Sequence, residues 1–428
     1  MSVEGWKLRR LDEIGEICSG STPSTNNLSY WDGDITWVTP NDLSKLNTPY
    51  LITSSKKITQ QGLKSCSAQI VPIGSIILSS RAPIGYLAIS LVDCCTNQGC
   101  KSFNLNPEYD SEFVYYNLKY NINKIKNLGE ETTFAEISKT ALSKIQISFL
   151  ENKQEQTQIA TILSTIDRAI EQTEALIAKQ QRIKTGLMQD LLTKGIDENG
   201  NIRSEETHEF KDSPLGRIPV EWEVENYSEG CKRVSVGIAT STTKHFKDKG
   251  VPLIRNQNVL SGSFSLDDLL FISREFDEIN KNKRLKSGDL VTMRTGYPGR
   301  TAIADKKMEG WQTFTTLIST PDSNKYLPEF MCILLNSFIC RHQILGLQGG
   351  GAQQNLNVGW IVGMKIVKPL ISEQIKIVKI IQSINEYIDI LADSLNKLRC
   401  NKTGLMQDLL TGKVRVIELI KERETDNL

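Results

Sequence analysis

Two long stretches of the chain carry the same pattern of apolar positions. From Gln154 to Thr193 there is no proline, and the single glycine is Gly186 near the end. Apolar residues fall at Ile159, Leu163, Ile166, Ile170, Ile177, Leu187 and Leu191, in steps of four and three interrupted by Thr173, Gln180 and Lys184. The second stretch places Ile377, Ile381, Ile384, Ile388, Leu391, Leu395, Leu398, Leu405 and Leu409 in the same rhythm, interrupted only at Lys402. A sustained 3-4 spacing is the seam of a coiled coil. Each stretch predicts a helix roughly 60 Å long at about 1.5 Å per residue. So narrow an apolar stripe needs a partner, and the other copy is the nearest one.

The remaining sequence reads differently. Short apolar runs separated by glycine and proline turns predict β-rich globules, each followed by a helix near 111–127 and 328–345. The polar stretch from Gly195 to His208 reads as a linker. The boundaries predicted are a first globule at 1–150, a first long helix at 151–195 and a linker at 196–216. A second globule follows at 217–370, then a second long helix at 371–412 and a tail at 413–428.

These halves are copies. Lys184-Thr-Gly-Leu-Met-Gln-Asp-Leu-Leu-Thr193 returns letter for letter as Lys402–Thr411, a shift of 218 residues. The globules repeat more faintly. Trp6 pairs with Trp222, Ile35–Leu43 with Val251–Val259, Pro72–Arg81 with Lys286–Arg294, and Glu112–Leu118 with Glu329–Leu335. Equivalent positions point Trp6 and Trp222 to a shared core role. The expected fold is α+β: two similar β-rich globules separated by two long antiparallel coiled-coil helices, with pseudo-two-fold symmetry. Such symmetry suits a ligand that is itself roughly two-fold, such as duplex DNA.

Composition narrows the function. No apolar run approaches the ~18 residues that span a bilayer, and the start of the chain has no basic, apolar export pattern. Nine cysteines without a CxxC spacing and three scattered histidines predict reduced thiols and no metal site, hence a cytoplasmic protein. The net charge is only +1, but it is uneven. Residues 43–101 hold six Lys/Arg against one acid, and residues 281–307 hold eight against two. Two basic faces on a neutral chain are therefore expected. The thirteen prolines include no adjacent pair, which removes the Asn/Asp-Pro-Pro-Tyr/Phe signature of adenine methyltransferases. Gly412-Lys413 lacks both the upstream glycine and the following Ser/Thr of a phosphate-binding loop. No nuclease trio follows Pro321-Asp322 either, and the chain reads as a non-enzyme.

Each half also closes with a Glu-Gln-x-x-Ile helix start, Glu155-Gln156 to Ile159 and Glu373-Gln374 to Ile377, and each long helix ends in the repeated decapeptide. With two divergent globules of about 150 residues, this combination resembles the specificity subunit of type I restriction-modification systems over essentially the whole chain. Phe149-Leu150-Glu151 departs from it in lacking the proline that stands at Pro369 before the second helix. The resemblance implies two target-recognition domains, each reading half of a split double-stranded DNA site, with the helices fixing the gap. It also implies partners: two methyltransferase subunits using S-adenosylmethionine, and restriction/translocase subunits using ATP and magnesium. No cofactor is expected in this chain.

Base readout favours Arg and amide side chains, and phosphate contact favours Lys. The loops Arg81-Ala-Pro-Ile-Gly85 and Arg294-Thr-Gly-Tyr297-Pro-Gly-Arg300 follow strands and would aim arginines outward. Asn41 and Asp42, matched by Arg255, Asn256, Gln257 and Asn258, form a second set. Gln353 and Gln354 in a glycine-rich loop, with Thr132 and Thr133 at the corresponding place, form a third. Lys56, Lys57, Lys64, Lys244 and Lys247 are phosphate candidates. The expected helix-pairing residues are Ile159, Leu163, Ile166, Ile170 and Ile177 with Ile377, Ile381, Ile384, Ile388 and Leu395. A different class of function, a stand-alone bivalent scaffold binding two protein or glycan epitopes, fits the duplication as well. Salt dependence separates the two, because phosphate contacts make binding fall steeply with salt.

Overall fold

The computed structural model describes residues 3–130, 136–346 and 355–418. The chain divides into two compact units, one made of Met1–Ala175 with Asp393–Leu428 and the other of Leu176–Ala392. Both boundaries fall inside the long helices, Lys153–Thr193 and Ile371–Leu410. Each unit is thus a β-rich globule built onto a segment of each helix, and the fold is α+β.

Within the first unit the two helix segments run antiparallel. Asp167 pairs with Lys402, Glu174 with Arg399 at 2.6 Å, and Glu155 with Arg415 just past the second helix at 2.7 Å. Ile159, Ala160 and Leu163 join Leu409, Leu410 and Val416 in one core with the globule's Trp6, Phe113 and Phe149. The second unit repeats the scheme: Leu191 and Leu192 share a core with Ile377, Val378 and Ile381, together with Trp222 and Phe330. Of the seam positions, Ile159, Leu163, Ile377, Ile381 and Leu395 are buried, whereas Ile166, Ile170, Ile177, Ile384 and Ile388 are half-buried. Burial is deepest where the helices meet a globule. Trp6 and Trp222 are 6% and 1% exposed, as a core role requires.

The Glu-Gln helix starts are the joints of this packing. Gln156 accepts from the Asp110 amide at 2.8 Å and donates to the Leu150 carbonyl at 2.8 Å. Gln374 accepts from the Leu327 amide at 3.0 Å and donates to the Pro369 carbonyl at 2.9 Å. The neighbouring glutamates are equally matched. Glu155 takes the Arg415 guanidinium and the Val416 amide. Glu373 takes Arg203, the Ile196 amide and the Trp222 indole. A buried carboxylate is tolerated only when paired and hydrogen-bonded, and here each one ties a helix start to the segment that follows the other long helix.

The globules share their sheets as well. A short antiparallel pair closes each base: Trp6–Arg10 with Gln146–Leu150, and Glu223–Asn226 with Lys365–Lys368. Above it the first unit has a sheet ordered Gly15–Ser19, Cys100–Leu105, Ile76–Ser79, Leu87–Ser90 and Tyr50–Leu51. The second unit has Cys231–Val236, Leu317–Pro321, Leu290–Thr292 and Thr301–Ile303 in the corresponding order. A second sheet contains one parallel pairing in each unit, Trp31–Val38 with Cys94–Thr96 and Val251–Arg255 with Gln312–Phe314. The expected helices of the globules are Ser111–Tyr120 with Ile122–Glu130, and Pro328–Leu335 with Phe338–Gly346.

The stretch read as a linker is built into the second unit. Ile196 and Arg203 are buried, Ile196 bridges to Ile202, and Phe210–Ser213 forms a hairpin with Gly216–Pro219. Its polar composition reflects the carbonyls and carboxylates it serves. Lys376 donates to the Asp197 and Glu198 carbonyls, and Arg203 reaches Glu373.

Candidate nucleic-acid interface

In each unit three polar segments meet beside the two main sheets. In the first unit they are the start of the helix Pro40–Ser44, the connection that leaves the strand Ile76–Ser79, and the turn between Cys94–Thr96 and Cys100–Leu105. Backbone bonds fix them together. The amides of Ser80 and Arg81 donate to the Gly99 carbonyl at 2.8 and 3.2 Å, and the Asn97 amide donates to Val38 at 2.9 Å. Asn41, Ser44, Arg81, Pro83 and Gln98 consequently line one open depression of about 440 Å³. Two of the expected residues, Asn41 and Arg81, are brought together by contacts 40 positions apart in sequence.

The second unit fixes its equivalents by side chains. Asn256 accepts from the Arg294 amide at 2.8 Å and donates to the Thr315 hydroxyl at 3.1 Å. Arg294 Nε donates to the Leu356 carbonyl at 2.9 Å. The loop then turns at Gly296 and Gly299, both at positive φ, and presents Tyr297, 61% exposed, with the Arg300 guanidinium stacked 3.7 Å from its ring centroid. Only glycine adopts the Gly299 conformation at no steric cost, and a Cβ there would also strike Ile344 at 2.5 Å. Arg255 and Gln257 both donate to the Asp268 carboxylate, at 2.8 and 2.9 Å.

Several expectations change. Asp42 and Asn258 are buried, and their role is to cap. Asp42 accepts from the Thr39 amide at 2.9 Å and the Ser55 amide at 2.9 Å; Asn258 accepts from the Arg255 amide at 3.0 Å and donates to the Ser265 carbonyl at 3.0 Å. Burial works to raise the Asp42 pKa, but the hydrogen bonds from Ser55 and Thr39 outweigh it and hold the carboxyl below its usual value. The Thr-x-x-Asp spacing is a capping-box signature, so this role was readable. Asn256 anchors a loop with its amide, and its oxygen and nitrogen are both engaged.

The basic runs are also less basic than they read. Lys101 is buried beside Ser80, with Glu136 at 3.8 Å, and burial lowers its pKa despite the pull of Glu136. Arg284 is held by Asp277 and Glu278, and its pKa is raised chiefly by the Asp277 hydrogen bond. Arg81 is exposed but pairs through Nε with Glu136 at 2.9 Å. Lys56, Lys57, Lys64, Lys244 and Lys247 are exposed, with Lys56 lying 5.6 Å from the Trp31 ring. Thr132, Thr133, Gln353 and Gln354 lie outside the described residues. Gln98, exposed on the Asn97-Gln98-Gly99 turn and accepting from the Thr22 hydroxyl, is a lining residue that was missed. The amide-rich run before a glycine was its signal.

Among the described residues no His/Cys/Asp/Glu cluster has the makings of a metal site, and no helix is long and apolar enough to cross a membrane. The buried thiols of Cys95 and Cys100 are pushed upward by desolvation, which leaves them poorly nucleophilic.

Comparison with known proteins places this geometry. The family model for the type I restriction modification DNA specificity domain matches residues 3–180 and again 219–399. The MjaIX type I restriction enzyme specificity subunit of Methanocaldococcus jannaschii is 32% identical over 259 residues, 60% of this chain and 59% of that protein. This chain's match therefore spans under two thirds of that relative's length. The putative MjaX specificity subunit of the same organism is 25% identical over 96% of this chain and 94% of its own. The type I specificity subunit of M. genitalium shares the fold with a TM-score of 0.57 at 17% identity, covering 95% of this chain and 96% of the other. A chain solved in work on assembly of a type I restriction-modification system gives 0.60 at 14% identity, covering 97% and 100%. With its specificity domain matched twice, once in each half, the chain belongs to the family of type I restriction-modification specificity subunits.

Proposed function

We propose that this chain gives a type I restriction-modification complex its DNA sequence specificity by reading a bipartite double-stranded site. Each unit reads one half-site through the polar edge described above. The observation that carries this reading is the reuse of one framework with different polar residues. Thr39-Pro40-Asn41 and Arg255-Asn256-Gln257 occupy the same helix-start position, capped by the equivalent residues Asp42 and Asn258, yet expose different side chains: Asn41 in one unit, and in the other Gln257 beside Arg255, both on Asp268. A shared frame with divergent polar edges is what two different half-sites require.

The chain contributes recognition, and the chemistry belongs to its partners. Two methyltransferase subunits using S-adenosylmethionine, and restriction subunits using ATP and magnesium, dock on it. The long helices set the unspecified gap between the half-sites. Footprinting the chain with the methyltransferase subunit of its own system tests this. Two protected half-sites separated by an insensitive gap are expected, with affinity falling steeply as salt rises. A single continuous footprint, or binding indifferent to salt, would overturn the reading.

A further inference from the structure

The duplicated decapeptide opens with a lysine, and its two copies meet different surroundings. Lys402 interrupts the seam of the second helix, yet it is satisfied inside its own unit. It pairs with Asp167, which also accepts from the Tyr116 hydroxyl at 2.9 Å, and it lies 5.9 Å from the Tyr116 ring centroid. The helix shift of 218 carries Asp167 to Asn385, and the pairing of Glu112–Leu118 with Glu329–Leu335 carries Tyr116 to Ile333. Lys184, the other copy, therefore lacks the counterparts of both the Asp167 carboxylate and the Tyr116 ring. It is half-buried, and no ion pair or hydrogen bond joins it to any described residue. Burial pushes its ammonium below the usual lysine value, against the pull of Asp389.

Lys184 borders a cavity of about 320 Å³ between the helix segments and the globule of the second unit. Arg341 adds a second cation to its wall and Glu329 an exposed anion, while Asn385 and Gln382 supply amides. Met188, Ile333 and Ile381 make the rest apolar. The same stretches of helix leave Ile183, Tyr387 and Ile390 exposed at 39%, 43% and 63%. A phosphodiester prefers an open cationic surface. A recess with a poorly paired amine and apolar walls fits a carboxylate on a short side chain, delivered by a folded protein.

We propose that this recess receives an acidic side chain of the protein partner that docks on the long helices, and that the carboxylate takes the place Asp167 fills for Lys402. The inference rests on the proposed function, because it assumes that such a partner binds. One half of the duplication carries its own counter-ion, and the other half leaves the position to the partner. Docking is then unequal on the two units, although the helices are copies.

Asn385→Asp tests it by restoring the internal counter-ion, and Lys184→Met tests it by removing the amine. Both are measured on the full chain against the methyltransferase subunit of its own system, with thermal unfolding as the control for folding. The expected result is binding at least about tenfold weaker for each variant, equal to about 1.4 kcal/mol, with a midpoint equal to or above that of the parent. Parent-like binding by either variant overturns the inference while leaving the proposed function intact. So does weakening that appears in DNA affinity of the chain alone, which would mark the recess as a phosphate site. Failure of the parent chain itself to bind the subunit counts instead against the proposed function.

Discussion

Asp42 shows how one residue can be mistaken for a reader when it is a support. It sits beside exposed Asn41 in a polar run, but both of its oxygens are consumed by Thr39 and Ser55. Its counterpart in the second unit is Asn258, which keeps the bond to the helix start and turns its amide toward a carbonyl. Replacing Asp42 by Asn would therefore keep the Thr39 contact and put an amide donor against the Ser55 donors. We expect a loss of roughly 1–3 kcal/mol in the first unit at pH 7, the cost of a buried group left without its partner. The pH dependence follows from the lowered pKa. The contribution of the carboxylate is complete above the unfolded value, about 3.9, and fades as pH falls through the lower folded value. Thermal unfolding of parent and Asp42→Asn chains at pH 7 and pH 3 checks this. The gap between them should narrow at pH 3, and an equal gap at both would contradict it.

At the scale of elements, the long helices were legible because a 3-4 seam sustained over forty residues has few other readings. Even Lys402, an apparent flaw in that seam, is explained by Asp167. The sheets were far less legible. Most of their strands are three to six residues long, too short for a period to declare itself. The parallel pairing of Val38 with Thr96 joins segments that no local pattern links. The candidate site inherits that difficulty: Arg81 and Asn41 stood out as candidates because glycine, proline and amides mark turns. Gln98 was missed because its membership depends on the same non-local pairing, whereas the capping role of Asp42 was readable in its Thr-x-x-Asp spacing. Insertion tests the role of the helices. Seven added residues at 175/176 and seven at 392/393 extend both by two turns, about 10 Å, without changing which faces pair. At about 3.4 Å per base pair, the unspecified gap should grow by about three base pairs with both half-sites retained. Altered half-sites would show that the helices do more than set distance.

Across the whole molecule, duplication explains features that composition obscures. The net charge of +1 is a sum over the whole chain and conceals exposed lysines such as Lys56, Lys57, Lys244 and Lys247. The buried acids Glu155, Glu373, Asp277 and Asp289 are each matched by an arginine within their own unit. Each unit has its own core and its own closing carboxylate, so the polar edge of one can diverge without disturbing the other. Exchange of a single globule tests that independence. Residues 217–370 are replaced by the corresponding segment of another specificity subunit, and the methylated sites are mapped in DNA from a host carrying the complete system. One half-site should change while the other half and the gap stay as they were. A change in both halves, or in neither, would contradict that independence.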